Sequence, residues 1–270
     1  MQQAASLLLS FIIGLFGVSG SGQTGKNFGA IEGYYGKPLS LERRISLVRA
    51  IGSIGLNFFM VAPKSEPHLA KKWRDDLPET FKAEMSELAG ICKENSVELC
   101  LSISPGSRFH KGEIALLAQR AYRLSSYSQN YFALLFDDIG VLRSGNLGKL
   151  HAEASNAVLS SIRKRNPFAK LFVCPTQYFG NRKSEYLCNF LVNLDRSVVI
   201  FWTGTDVVPE EISGQSFADF REVAGRDVVV WDNYPVNDFN PKCLWLGEYY
   251  GRHISVARKS FGLFLNISER

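Results

Sequence analysis

From Phe28 onward, short apolar runs alternate with longer segments whose apolar positions recur at helical spacing. The short runs predict strands over 28–32, 56–61, 97–102, 131–136, 170–174, 198–202, 227–231 and 261–265. The longer segments predict helices over 40–51, 78–95, 111–125, 147–164, 183–194, 209–223 and 243–259. Strands alternating with helices build a parallel sheet, and eight such units favour closure into a (β/α)8 TIM barrel over an open sheet. The expected fold class is therefore α/β. The final helix is expected to be lacking, because the sequence stops at Arg270, shortly after the last strand. The N-terminal apolar segment, a partner or residues of a longer protein are expected to cover that sector. The expected division is an apolar segment over 1–25 and one barrel over 26–270, with no internal repeat or long linker.

The fourth strand ends unusually. In YFALLFDDIG, residues 131–140, six apolar residues run straight into Asp137 and Asp138. Burying an ionised carboxylate is costly unless it is paired or hydrogen-bonded, so an acid pair closing a core strand argues for a cavity mouth. Alternation puts Tyr131, Ala133, Leu135 and Asp137 on one face and Phe132, Leu134, Phe136 and Asp138 on the other. A bend at the strand's end would let both acids serve one pocket at different depths. The same pair also suits a metal site, or a helix N-cap followed by a first-turn aspartate.

In a barrel of this kind, function collects at the C-terminal ends of the strands. Here those ends read Glu32-Gly33-Tyr34-Tyr35-Gly36, Ala62-Pro63-Lys64, Ser104-Pro105-Gly106 and Asp137-Asp138. They continue as Pro175-Thr176-Gln177-Tyr178, Trp202-Thr203-Gly204, Trp231-Asp232-Asn233 with Asn237-Asp238, and Asn266. Aromatic faces beside carboxylates and amides suit a sugar, which offers C–H faces for stacking and a ring of hydroxyls for hydrogen bonds. Taken singly, several of these residues have blander roles: Lys64 as a solvated loop lysine, Gly33 as a turn former, Tyr178 and Trp231 as core aromatics, Asp232 as a structural acid.

Composition narrows the function classes. With 46% hydrophobic and 21% charged residues the chain is globular. The net charge of +5 is scattered, and the one tight basic run, Arg163-Lys164-Arg165, precedes Asn166-Pro167, where cations suit a helix C-terminus. Without a basic stripe interleaved with aromatics, no nucleic-acid partner is expected. Five cysteines, without paired short spacings, indicate neither a disulfide framework nor a zinc site; Cys100 and Cys174 lie in apolar runs and are expected to be buried. His68, His110, His151 and His253 show no ligand spacing and are expected at the surface. The apolar run over 7–18 is too short to span a bilayer and is similar to a signal h-region, with Val18-Ser19-Gly20 as a cleavage zone. No Lys or Arg precedes Lys26, so the charged n-region is missing. Export is expected if that run is a signal, and a cytoplasmic location otherwise. Nothing in the chain specifies an oligomeric state.

Eight motifs in order carry a resemblance: GAIEGYYGKP, GLNFFMVAPKSEPH with KKWR, LSISPG, FALLFDDIG, FVCPTQYFG, IFWTGTDVV, VVVWDNYPVNDF, and the LGEYYGR segment beginning at Leu246. Together they resemble glycoside hydrolase family 84, the retaining β-N-acetylglucosaminidases that include protein O-GlcNAcases and bacterial hyaluronidase-like enzymes, from about Gly29 to Asn266. The resemblance implies substrate-assisted catalysis, in which the sugar's own 2-acetamido oxygen attacks the anomeric carbon. It implies that Asp137 accepts the acetamido N–H and that Asp138 is the general acid and then the general base. It further implies sugar contacts from the Gly33 carbonyl, Lys64, Asn233, Asp238 and Asn266, with Tyr178 near the reacting centre, Trp231 walling the N-acetyl pocket and Thr203 as a lesser contact. The partners it implies are β-N-acetylglucosaminides on a glycoprotein or glycan, with no metal and no organic cofactor. Leu39 replaces the family's aromatic, Thr205 stands where WTGP has proline, and Ser65-Glu66 replaces an acidic pair, so substrate preference is more open than chemistry. Two rivals remain at this stage: a non-catalytic glycan-binding barrel, and a metal-dependent hydrolase using Asp137, Asp138 and Asp232.

Overall fold

Eight parallel strands close into a barrel in sequence order: β1 (Asn27–Glu32), β2 (Phe58–Val61), β3 (Glu98–Ile103), β4 (Tyr131–Leu135), β5 (Lys170–Cys174), β6 (Val199–Trp202), β7 (Val228–Asp232) and β8 (Gly262–Asn266). The computed structural model describes residues 26–139, 145–245, 247 and 249–268. Closure is made by β8 beside β1, with Asn27 opposite Gly262 and Ile31 opposite Asn266. Every strand falls within two residues of its expected place. The apolar run over 7–18, the 1–25 segment, Gly140 of the fourth motif, and Leu246 and Glu248 of the last one lie outside the described residues.

The period-two alternation of the strands sorts their side chains into two cores. Ile31, Phe58, Met60, Ala133, Leu135 and Phe172 belong to the barrel interior, where Phe58 stacks on Phe264 at a ring separation of 4.1 Å. Phe132, Leu134, Phe136 and the outward residues of the other strands pack beneath the helices. The expected faces of the fourth strand are thus the observed ones, and Cys100 and Cys174 are buried as expected.

Seven helices are described, one in each crossover: α1 (Leu41–Ser53), α2 (Glu79–Glu94), α3 (Ile114–Leu124), α4 (Gly145–Arg163), α5 (Glu185–Asn193), α6 (Gly214–Ala224) and α7 (Ile254–Lys259). Ser40, Ser184 and Ser213 cap α1, α5 and α6, each accepting the backbone N–H three residues on, which fixes where those helices begin. Among the described residues, no helix is long and apolar enough to cross a membrane.

Three expectations need correction. The helix expected over 209–223 starts only at Gly214, because Pro209 packs over Gly204 and Ile212 bridges to Arg252. The helix expected over 243–259 shrinks to Ile254–Lys259. Apolar spacing there reflects a loop anchored to the barrel: the Arg252 guanidinium reaches both oxygens of the buried Asp232 at 2.8 Å, and the Tyr249 hydroxyl donates to it at 2.5 Å. Finally, His151 is not at the surface; it is 1% exposed, while His110 and His253 are exposed as expected and His68 is half-buried. Its ring stacks on Phe136 at 3.8 Å, a tertiary contact that ligand spacing in the sequence does not encode.

Candidate active site

The acid pair sits where β4 ends. Phe136 keeps the strand direction by donating its N–H to the Cys174 carbonyl at 2.8 Å, and Asp137 then falls on the interior side with Leu135. Asp138 should by alternation point the other way. Instead its φ of 54° places it in the left-handed region, which turns the chain back. For a residue with a Cβ this costs roughly 1–2 kcal/mol, a penalty aspartate bears better than most. The result is that both carboxylates line one cavity of about 400 Å³, Asp137 half-buried and Asp138 exposed at the mouth.

Their partners differ. Asp137 Oδ2 accepts from Lys64 Nζ at 2.5 Å, a charge-assisted contact between side chains 9% and 11% exposed. Its other oxygen, Oδ1, is buried and has no hydrogen-bond partner among the described residues. An unsatisfied buried acceptor of this kind costs about 1–3 kcal/mol, more when charged, so it calls for a donor. Asp138 accepts from both sides: Tyr178 Oη donates to Oδ1 at 2.8 Å and Tyr35 Oη to Oδ2 at 2.7 Å. Burial first, and the Asp138 carboxylate next, push both phenols well above the ordinary tyrosine value, so both remain protonated donors.

The facing wall is a chain of amides. The Gly33 N–H donates to Asn266 Oδ1 at 3.1 Å, and Asn266 Nδ2 donates to Asn233 Oδ1 at 2.9 Å. Trp231 Nε1 donates to the same oxygen at 2.9 Å, and Asn233 Nδ2 donates to the Val207 carbonyl at 2.9 Å. This fixes the rotamers of Trp231, Asn233 and Asn266 around the cavity. Gly33 has no room for a side chain: a Cβ would lie 2.4 Å from the Trp231 ring and 2.9 Å from Asn266 Oδ1. Asp238 closes the rim, its Oδ2 accepting from the Tyr35 N–H at 3.2 Å.

All ten residues singled out from the sequence line this cavity: Gly33, Lys64, Asp137, Asp138, Tyr178, Thr203, Trp231, Asn233, Asp238 and Asn266. Thr203 does so with its hydroxyl engaged elsewhere, donating to the Asp206 carbonyl at 2.8 Å. Asp232 is absent from the lining and its carboxylate is taken up by Arg252 and Tyr249, so it is not available as the third acid of a metal site. Sequence reasoning missed Tyr35, Cys174 and the apolar rim of Val207, Val208, Val236 and Phe239. The signal for Tyr35 was present: two residues beyond Gly33, it lies on the same side of the chain, whereas Tyr34 is buried and donates to the Lys37 carbonyl.

The model of the NAGidase family, beta-N-acetylglucosaminidase, matches residues 28–270. The chain is 29% identical over 252 residues to the protein O-GlcNAcases of Rattus norvegicus and Mus musculus, covering 88% of this chain and 27% of each relative. It therefore spans about a quarter of those proteins' length. Among solved structures it superposes on a mutant of the Thermobaculum terrenum O-GlcNAc hydrolase with a TM-score of 0.83 at 25% identity, covering 89% of this chain and 55% of that one. It superposes on CpGH84B with a TM-score of 0.82 at 29% identity, covering 90% of this chain and 45% of that one.

Proposed function

The chain belongs to the beta-N-acetylglucosaminidase family, and on that premise we propose that it removes terminal β-linked N-acetylglucosamine with retention, by substrate-assisted catalysis. The observation that carries this reading is the asymmetry of the acid pair. Asp137 has one oxygen held by Lys64 and one buried oxygen without a donor among the described residues, while Asp138 stands at the mouth between two tyrosines. An acetamido N–H supplies what Asp137 Oδ1 lacks.

In the first step the acetamido carbonyl oxygen bonds to the anomeric carbon as the bond to the aglycone oxygen breaks. A proton from Asp138 goes to that leaving oxygen. Asp137 holds the amide N–H, which orients the attacking carbonyl and balances the positive charge spreading over the five-membered oxazoline-type ring. In the second step Asp138, now a carboxylate, takes a proton from water. The water oxygen bonds to the anomeric carbon as the bond to the amide oxygen breaks, and two inversions give retention. The tyrosine hydroxyls steady Asp138 while it is charged. Trp231 offers an apolar face to the N-acetyl group. Asp238, Asn233, Asn266, Lys64 and the Gly33 carbonyl are the sugar hydroxyl contacts, with Thr203 a minor one. The reaction so written calls on no metal or organic cofactor.

The test is turnover of a fluorogenic β-N-acetylglucosaminide beside the matching β-glucoside, with the product anomer followed by NMR. Hydrolysis of the first alone, releasing the β-anomer, is expected. Binding of N-acetylglucosamine without turnover would replace this reading by a glycan-binding barrel, and loss of turnover with chelator by a metal-dependent hydrolase.

A further inference from the structure

Beneath the acid pair lies a buried polar chain that the mechanism does not use. It starts at Phe136, the residue before Asp137, whose carbonyl accepts from Thr176 Oγ1 at 2.8 Å. The Thr176 N–H donates to the Tyr186 oxygen at 3.0 Å, and that oxygen lies 2.9 Å from His151 Nδ1. The Tyr186 oxygen is thus shared between the Thr176 N–H and His151 Nδ1, the direction of the second bond following the histidine tautomer. The His151 ring then returns to the start, lying flat on Phe136 at 3.8 Å and 6°. Phe136, His151 and Tyr186 are each 1% exposed and Thr176 is 8% exposed, so every link is shielded from water. Four segments meet here: the end of β4, the loop after β5, α4 and α5.

We propose that Thr176, Tyr186 and His151 are positioning residues that hold Phe136, and through it the turn carrying Asp137 and Asp138, in the geometry needed for proton transfer to the leaving group. The physical need is local. The left-handed conformation of Asp138 is unfavourable for a residue with a Cβ and persists only where its surroundings over-determine it. Phe136 is fixed by its backbone N–H to Cys174, by its carbonyl to Thr176 and by its ring to His151. Tyr35 and Tyr178 hold the far end of the turn by its carboxylate. Removing the near-end brace lets the turn relax, and Asp138, the outer of the two acids, moves most.

This inference rests on the proposed hydrolase reading, and a leaving-group series separates the two. Tyr186→Phe keeps ring and volume but removes the oxygen that accepts from the Thr176 N–H and that His151 Nδ1 contacts. A misplaced general acid hurts substrates that need protonation and spares those that do not. For Tyr186→Phe, kcat/KM on the methyl β-N-acetylglucosaminide is expected to fall roughly 10- to 100-fold. On the 2,4-dinitrophenyl glycoside it is expected to stay within about threefold, as departure there needs little acid assistance. Thr176→Val should repeat this split by removing the Phe136 bond, and Thr176→Ser, which restores a hydroxyl, should reverse it. The Thr176 pair also decides the matter if Tyr186→Phe does not fold. Equal losses across the series, or no loss with any substrate, would overturn the positioning role and leave the hydrolase reading intact. Absence of turnover by the unmodified chain would remove the hydrolase reading and this one together.

Discussion

Lys64 Nζ holds one oxygen of Asp137 at 2.5 Å, and the other is buried without a donor among the described residues. The lysine pairs with the carboxylate and fixes its rotamer, so the position of the unsatisfied oxygen is set by the fold. That is preorganisation: the energy of orienting the acceptor is already invested in the fold.

Asp137→Asn replaces a charged acceptor by a neutral amide and leaves Lys64 facing it. We expect kcat/KM on every N-acetyl substrate to fall by about 100-fold or more, whatever the leaving group, in line with the loss of one charge-stabilising contact in a closed site. Steady-state kinetics on three aryl glycosides of different leaving ability checks this, and unchanged turnover would remove Asp137 from the mechanism.

Asp138→Asn should behave differently. Loss of the proton donor is expected to cost about 100- to 10,000-fold on poor leaving groups and much less on activated ones. Added azide, which needs no general base, should restore part of the second step. A flat response across the leaving-group series speaks against an acid role.

Gly33→Ala tests the facing wall. Its Cβ would come within 2.4 Å of Trp231, which can yield only by moving toward the cavity or straining the bond to Asn233. Overpacking of this kind costs about 1–3 kcal/mol. A rise in KM together with a drop of several degrees in Tm is expected; a variant with wild-type KM would show that Trp231 does not border the bound sugar.

Arg252→Met isolates the anchor of the loop after β7. Asp232 is fully buried, and Arg252 supplies both oxygens with a partner. Leaving the acid with Tyr249 alone should cost about 3–5 kcal/mol. Asp232→Asn combined with Arg252→Met should recover part of that loss, because no unpaired charge then remains buried. Urea unfolding midpoints of the single and double variants give the answer.

His151 sets a pH signature on stability. Burial pushes its imidazole down to about 3 from an ordinary 6.5. The folded chain therefore refuses a proton that the unfolded chain accepts, so stability falls as pH drops through 6.5 and goes on falling towards 3. The slope is about 1 kcal/mol per pH unit just below 6.5. His151→Phe keeps a flat ring against Phe136 and removes the titration. Its unfolding free energy, measured from pH 7 to 5, should fall less steeply than that of the unmodified chain, and parallel curves would contradict the neutral buried form.

The barrel and the membership of its rim were legible in the chain because both follow from short-range rules. Eight apolar runs at regular spacing specify strands, and alternation within each run specifies which side chain faces inward. Residues at strand ends share the mouth of a closed barrel whatever their separation in sequence, which is how Gly33, Lys64 and Asn266 could be grouped. What alternation could not supply was the direction of Asp138, since a left-handed φ at a non-glycine residue breaks the period. Nor could it supply the loop that replaces the helix expected over 243–259. There the deciding partner, Asp232, lies 20 residues from Arg252, and a buried ion pair outweighs local helix preference. The burial of His151 is of the same kind, set by Phe136 and Tyr186 from other elements. By itself the sequence determined the eight-stranded barrel and the residue types at its mouth, because periodicity and strand-end chemistry are local. The tertiary structure alone decided which oxygen of Asp137 is satisfied, that two tyrosines grip Asp138, and that a buried polar chain runs beneath their turn, because each depends on groups brought together only by closure of the barrel.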